Sequence, residues 1–470
     1  MTVHVSIDRR AETPAPDIWQ RIGDWLQRHQ RTIRSVQWTV VLIYALLLIV
    51  PVWLPLPDRN AYIWTNITRF AQFAFWGVWW PFVLLSTALV GRVWCGLLCP
   101  EGTVSEFASR HGRAGAIPRW IMWAGWPTVA FACTTLYGQM ISVYQYPRPA
   151  LLILGGSTVA AVAIGYLYGR DKRVWCRYLC PVSGVFGLLA KIAPLHFRVD
   201  PVAWQQSQRA SIKPAAVKCA PLVPLRTMRG GSACHMCGRC SGFRGAIRLA
   251  RRSPNHEIVH VAGQTPKPWE TALIAYGLIG LAMGAFQWTS SPWMVALKQV
   301  VAGKLIEAGA IWPLERSAPW WLLTNYPAHN DVLTLLDGGL ALAYIAATAL
   351  VVGTVVTLAF ALATLSLGQW RTERFHHLAQ TLIPLAAAGV FLGLSALTVI
   401  QLRADGIRLP FVEMLRSAIL CGATLWSAVL CWQVSGLYAR APGRRLLALF
   451  LSGAGIAVVD SGWFLLFWIW

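Results

Sequence analysis

Apolar positions along this chain run in long blocks, separated by shorter polar stretches. Nine blocks are near or above the roughly 20 residues that a helix needs to cross a bilayer. They are 36–56, 70–91, 119–143, 149–168, 269–289, 334–366, 379–401, 411–435 and 446–469. The pattern predicts an all-α polytopic membrane protein with about nine transmembrane helices. The sixth block is long for one crossing, so it is expected to tilt or to begin along the interface. One sizeable stretch, 194–268, has no apolar block and no strong periodicity. It predicts a small, loop-rich module held together by something other than a large apolar core. Four parts follow: an arm over 1–35, helices one to four with their loops over 36–193, the module over 194–268, and a bundle of about five helices over 269–470. The bundle carries an outer loop, 290–333, whose Trp312, Trp320 and Trp321 are expected along the membrane surface.

Within the arm, "DIWQRIGDWLQRH" (17–29) sets Ile18, Ile22, Trp25 and Leu26 on one helical face, with Arg21 and Arg28 off it. This suits an interfacial helix or an amphipathic helix packed on the protein. The first 35 residues are polar and the first apolar block is long enough to span, so no cleavable signal peptide is expected.

Charge orients the helices. Arg9, Arg10, Arg21, Arg28, Arg31 and Arg34 lie in the arm, and Arg92, Arg110, Arg113 and Arg119 follow the second block. The 169–268 stretch holds 17 Lys and Arg against Asp171, Asp200 and Glu257, and later come Arg371, Arg374, Arg440, Arg444 and Arg445. With alternating helices, all of these fall on one side. The positive-inside rule then places the N-terminus in the cytoplasm and the C-terminus across the membrane. The net charge of +22 is explained by this sorting and not by nucleic acid. Composition agrees: 56% of residues are hydrophobic, only 13% are charged against about 25% in soluble proteins, and 26 are Trp.

Eleven cysteines change the picture from a membrane protein to a metalloprotein. Cys133, Cys421 and Cys431 sit inside apolar blocks and read as small hydrophobes. The other eight fall on the basic side: Cys95, Cys99, Cys176, Cys180, Cys219, Cys234, Cys237 and Cys240. A reducing compartment argues against disulfides and for metal. "CHMCGRC" (234–240) has the first three positions of the ferredoxin run C-x2-C-x2-C-x3-C-P, with Arg244 where the fourth cysteine would stand. Cys219, in "KCAP", is the candidate fourth ligand of a [4Fe–4S] cluster. A structural zinc site, with Cys219 or His235 as the fourth ligand, is the alternative.

The remaining four cysteines form a repeat. "RVWCGLLCPEG" (92–102) returns as "RVWCRYLCPVSG" (173–184), each just past the basic-side end of an apolar block. On one helix, i and i+4 lie about 5–6 Å apart on a shared face. Cys95 with Cys99, and Cys176 with Cys180, would thus each present two sulfurs, with Pro100 and Pro181 marking a helix break or start. Two facing pairs supply the four thiolates of a second [4Fe–4S] cluster, near Arg92, Arg173 and Arg177. A pair of metal-free redox dithiols is the other reading.

The two W-C-x2-L-C-P motifs and the ferredoxin-like run behind them resemble the membrane polyferredoxins. These include the quinol-oxidising NapH subunit of periplasmic nitrate reductase systems, NosR of nitrous oxide reduction and CcoG of oxidase assembly. The resemblance covers roughly 70–250. It implies a bacterial inner-membrane protein that moves electrons through iron–sulfur centres held by Cys95, Cys99, Cys176, Cys180, Cys234, Cys237 and Cys240. One incomplete ferredoxin run, in place of two complete ones, departs from the pattern. The added C-terminal helices resemble the FtrD-like subgroup of ferrous-iron uptake systems, which implies a periplasmic cupredoxin and an iron permease as partners.

No catalytic residue set emerges. No histidine lies inside a predicted block, so no haem is expected, and no P-loop or dinucleotide fingerprint is present, so no nucleotide. Asp460 lies near the middle of the last block, where a carboxylate serves a proton or cation path or pairs with a neighbour. Glu413 is expected to pair with Arg416, and Asp337 to lie at the interface. An electron-transfer component passing electrons to a membrane or periplasmic redox partner, a protein or a quinone, is the leading reading. A copper- or other metal-handling protein using paired thiolates and a redox-sensing scaffold are the alternatives.

Overall fold

The computed structural model describes residues 17–58, 60–209, 216–265 and 267–470. Arg9 and Arg10 lie outside them. Among the described residues, eight helices are long and apolar enough to cross a membrane. The amphipathic α1 (Ile18–Arg28) turns at His29 directly into α2 (Gln30–Trp53). Next come α3 (Ile67–Val90), the short α4 (Val93–Leu97) and α5 (Pro100–Arg110). Then follow α6 (Trp126–Met140), α7 (Pro147–Tyr168), α8 (Val174–Tyr178) and α9 (Ser183–Leu189).

The expected span at 119–143 is shortened. Residues 118–125 are turns, and only the 15 residues of α6 are helical. At 1.5 Å per residue α6 is about 22 Å long. Its ends still mark opposite faces: Thr128 Oγ1 donates to Trp269 O, and Met140 O accepts from Thr324 N in the 290–333 loop. Pro118 and the tryptophans at 120, 123 and 126 raise the apolar count without extending the helix.

The module after α9 is built on one antiparallel pair, β1 (Leu195–Val199) with β2 (Ile247–Arg251), in register Leu195 with Arg251 through Val199 with Ile247. Helix α10 (Pro201–Arg209) follows β1. Phe197, Trp204, Ile247 and Leu249 form a small core that also includes Cys234 and Cys240. Helix α1 closes this core with its narrow side: a Cβ on Gly23 would stand 3.1 Å from Leu249 Cβ. Ile18, Ile22 and Trp25 remain exposed on another side of α1.

The C-terminal bundle contains α11 (Pro268–Gln287), α12 (Pro292–Glu307), α13 (Leu335–Ser366), α14 (Thr372–Ala404), α15 (Val412–Tyr438) and α16 (Pro442–Ile469). The long sixth block is one 32-residue helix, α13, capped by Thr334 and Asp337. Helix α14 begins seven residues before the expected 379, so His376 and His377 lie in its first turns. Both are engaged: His376 Nδ1 lies 2.8 Å from Thr271 Oγ1, and His377 meets Tyr438 Oη and Ile258 O. Glu413 and Arg416 do not pair among the described residues; Arg416 lies over the Phe467 ring instead. Thr424 Oγ1 donates to Asp460, lying 2.9 and 3.0 Å from its two carboxylate oxygens and joining α15 to α16.

Candidate metal centre

Proline dictates the local geometry of the clips. Pro100 is the first residue of α5, and a residue before proline is driven out of the helical region. Cys99 accordingly has φ −63° and ψ 118° and caps α5, its Sγ accepting from Gly102 N at 3.4 Å. Cys95 lies in α4. The second clip repeats this: Cys176 lies in α8 and Cys180 follows outside it. The expected i,i+4 pair on one helix therefore does not form. The break turns each second cysteine, and the four still meet. Cys95, Cys99, Cys176 and Cys180 all line one cavity of about 640 Å³.

The other four gather beside it. Cys219, Cys234, Cys237 and Cys240 stand near enough for their charges to act on one another. The Cys219 segment is fixed by Arg173 N, which donates to Ala220 O at 2.8 Å. The loop entering Cys234 is fixed by Glu257, whose Oε2 accepts from Gly231 N at 2.7 Å while pairing with buried Arg252.

The two sets abut. A Cβ added to Gly96 would fall 2.0 Å from His235 O and 2.9 Å from Cys237 N. Glycine thus lets the C-x2-C-x2-C loop rest on the turn between Cys95 and Cys99. Gln37 and Gln30 hold the seam from α2, Gln37 donating to Gly96 O and Gln30 to Cys237 O. Arg92 and Arg173 lie across it, 5% and 1% exposed. Arg92 donates to Ser232 O and to Ser183 Oγ. Arg173 donates to Cys95 O and pairs with Glu106 at 2.9 Å. Arg92 Nε, Arg173 Nη2 and His235 Nδ1 are buried with no hydrogen-bond partner among the described residues.

The clip cysteines fit an iron–sulfur cubane: their four thiols line one cavity, which leaves room for a core larger than a single metal ion. No three His, Cys, Asp or Glu side chains among the described residues converge tightly enough for one metal ion. Burial pushes the Cys176 and Cys234 thiols up to about 12, and Cys99 and Cys180 also rise. Four buried thiolates repel one another unless iron and nearby cations offset them. Arg92 and Arg173 are placed for the second role, and their unpartnered N–H groups are available to sulfur.

Three features were not read from the sequence. Glu106 is 3% exposed and pairs with Arg173, Arg110 and Arg239. Glu101 lines the cavity and accepts from Trp175 Nε1 at 3.2 Å. Gly96 permits the seam. Two carboxylates directly after a clip, inside an otherwise basic loop, were the available signal.

Cys219→Ala should cost the module its fourth sulfur. Loss of that cluster, or its conversion to a three-iron form seen by EPR on oxidation, is the expected result. A variant that keeps a complete cluster would place the fourth ligand elsewhere.

The 4Fe–4S binding domain family matches residues 72–118 and 151–199. Each matched stretch holds one clip, and neither reaches Cys219. The chain is also similar to a putative electron transport protein, YccM, of Escherichia coli (strain K12), at 22% identity over 239 residues. That similarity covers 44% of this chain and 65% of the E. coli protein, less than two thirds of its length. No solved structure matches the chain. The clip region is therefore similar to the 4Fe–4S binding domain family, in an all-α membrane protein.

Proposed function

We propose that this chain is a two-centre electron relay, with one [4Fe–4S] cluster held by Cys95, Cys99, Cys176 and Cys180 and another by Cys219, Cys234, Cys237 and Cys240. The abutment of the two sulfur sets at Gly96 and Cys237 carries this reading. Bound there, the clusters supply reversible one-electron chemistry. The protein would hold the two sites side by side, exclude water from the buried thiols and balance their charge with Arg92 and Arg173. The cavity that begins at the clip cysteines continues between spans, lined by Tyr44, Phe75, Trp79 and Leu154. An apolar chamber beside a redox site suits a lipid-soluble carrier such as a quinone. In the ferrous-iron uptake setting suggested by the resemblance, the electrons would be exchanged with a periplasmic cupredoxin working with an iron permease.

Anaerobically purified protein should contain about eight iron and eight acid-labile sulfide per chain, with broad absorption near 400 nm that dithionite bleaches. Copper or zinc without sulfide would reject the relay.

The basic face, which holds both sulfur sets, is proposed to lie in the cytoplasm. An impermeant thiol reagent added to intact spheroplasts should leave all eight cysteines unlabelled and should label them after lysis under cluster-destroying conditions. Labelling of Cys95 or Cys176 from outside would reverse the orientation.

A further inference from the structure

A cleft of about 900 Å³ opens between α1 and the cysteine module. It is separate from the clip cavity. Its wall includes Lys218 and Arg239, the immediate neighbours of Cys219 and Cys240. Six cationic side chains line it against three carboxylates. Glu106 pairs with Arg239 and Arg110, and also with Arg173 outside the cleft, while Asp171 pairs with Lys218 and Arg110, which leaves Arg28, Arg34 and Arg244 as the cleft cations without an ion pair among the described residues. Arg28 and Arg34 are exposed on the rim. The surrounding segment sharpens the imbalance. From 201 to 256 the sequence has ten Lys and Arg and no Asp or Glu.

Positive charge on this face has an ordinary explanation in anionic lipid. The geometry of α1 argues against it for this cleft. Ile18, Ile22 and Trp25 form the exposed apolar stripe of α1, the side suited to the membrane surface. Asp24, Gln27 and Arg28 line the cleft. At about 100° per residue, Asp24 and Gln27 lie on the order of 130° and 170° around the helix from the centre of that stripe, and Arg28 about 90° from it. The cleft therefore faces away from the bilayer, toward the aqueous phase.

We propose that this cleft docks a small, acidic, soluble one-electron carrier protein of the iron–sulfur or flavin class, which exchanges electrons with the Cys219–Cys240 centre. This rests on the two-centre relay above. The exchange is one electron: the carrier and the centre change oxidation state by one in opposite senses, and no bond or proton moves. The cationic rim would steer the carrier, and Lys218 and Arg239 would bring it over the module's sulfurs.

The test uses the full-length protein in nanodiscs of zwitterionic lipid, with an acidic plant-type ferredoxin as the probe. Stopped-flow electron exchange should slow by about tenfold between low and high salt, as steered association does. Arg28→Glu with Arg34→Glu should slow it by about tenfold at low salt and weaken ferredoxin binding in a titration. Their 400 nm absorption and bleaching by dithionite should be unchanged, which separates a docking failure from loss of the relay. Salt-independent exchange, or an unaltered rate in the double variant, would overturn the proposal. So would a variant defect that appears only when anionic lipid is added to the discs, because the cleft would then face lipid.

Discussion

Replacing Cys95 and Cys99 with serine should erase the same cluster signal as replacing Cys176 and Cys180. Each double variant is expected to retain about half of the iron and sulfide, with the EPR signal of the Cys219–Cys240 centre intact. The reason is geometric. Neither clip holds more than two sulfurs, and all four line one cavity. Two thiolates do not retain a [4Fe–4S] cluster, so losing either pair should empty the shared site. The turn at each proline matters here. Because Cys99 caps α5 in an extended conformation, its sulfur is not bound to the i,i+4 direction of α4 and can share a space with the second clip. If the two double variants lose different signals, or no iron, the clips are separate sites. EPR of reduced protein with iron and sulfide counts decides between these outcomes.

The parts legible in the sequence were those fixed by local pattern. Long apolar blocks located the crossings, since each helix must satisfy its own backbone in lipid. Cysteine spacing picked out the two clips and the 234–240 run as candidate ligands, and adjacency to the clips singled out Arg92, Arg173 and Arg177. The missed features depend on distant partners or on competition between neighbours. The 119–143 block counted interfacial tryptophans as apolar, and turns take its first third. The β1–β2 pair joins "LHFRV" to "IRLAR", two short charged segments whose partners lie about 50 residues apart. The same-face clip prediction used helical spacing where the constraint imposed by the following proline prevails. Glu106 resembles a surface residue of an amphipathic helix until Arg173, 67 residues on, and Arg239, 133 residues on, close over it.

Glu106 should consequently be a highly sensitive carboxylate. Burial alone would raise its pKa, but Arg173, Arg239 and Arg110 hold it down to about 2. An unperturbed Glu titrates near about 4.3. A depressed folded pKa stabilises the folded state fully above the unfolded value and loses that contribution as pH falls through the folded one. A carboxyl held that far below its ordinary value corresponds to roughly 3 kcal/mol. Glu106→Gln removes the negative charge and leaves Arg173, 1% exposed, without its partner. Breaking a buried pair in this way costs about 3–5 kcal/mol. Urea unfolding of the metal-free protein in micelles should show that deficit at pH 7. The deficit should shrink as pH falls from about 4 toward 2, where wild-type Glu106 also loses its charge. In the loaded protein the same variant should loosen the seam, because Glu106 joins Arg173 of the second clip to Arg239 of the module. Accelerated iron loss at neutral pH is the expected sign. A Glu106→Gln protein as stable as wild type at pH 7, with unchanged iron retention, would show that the three arginines do not depend on this carboxylate.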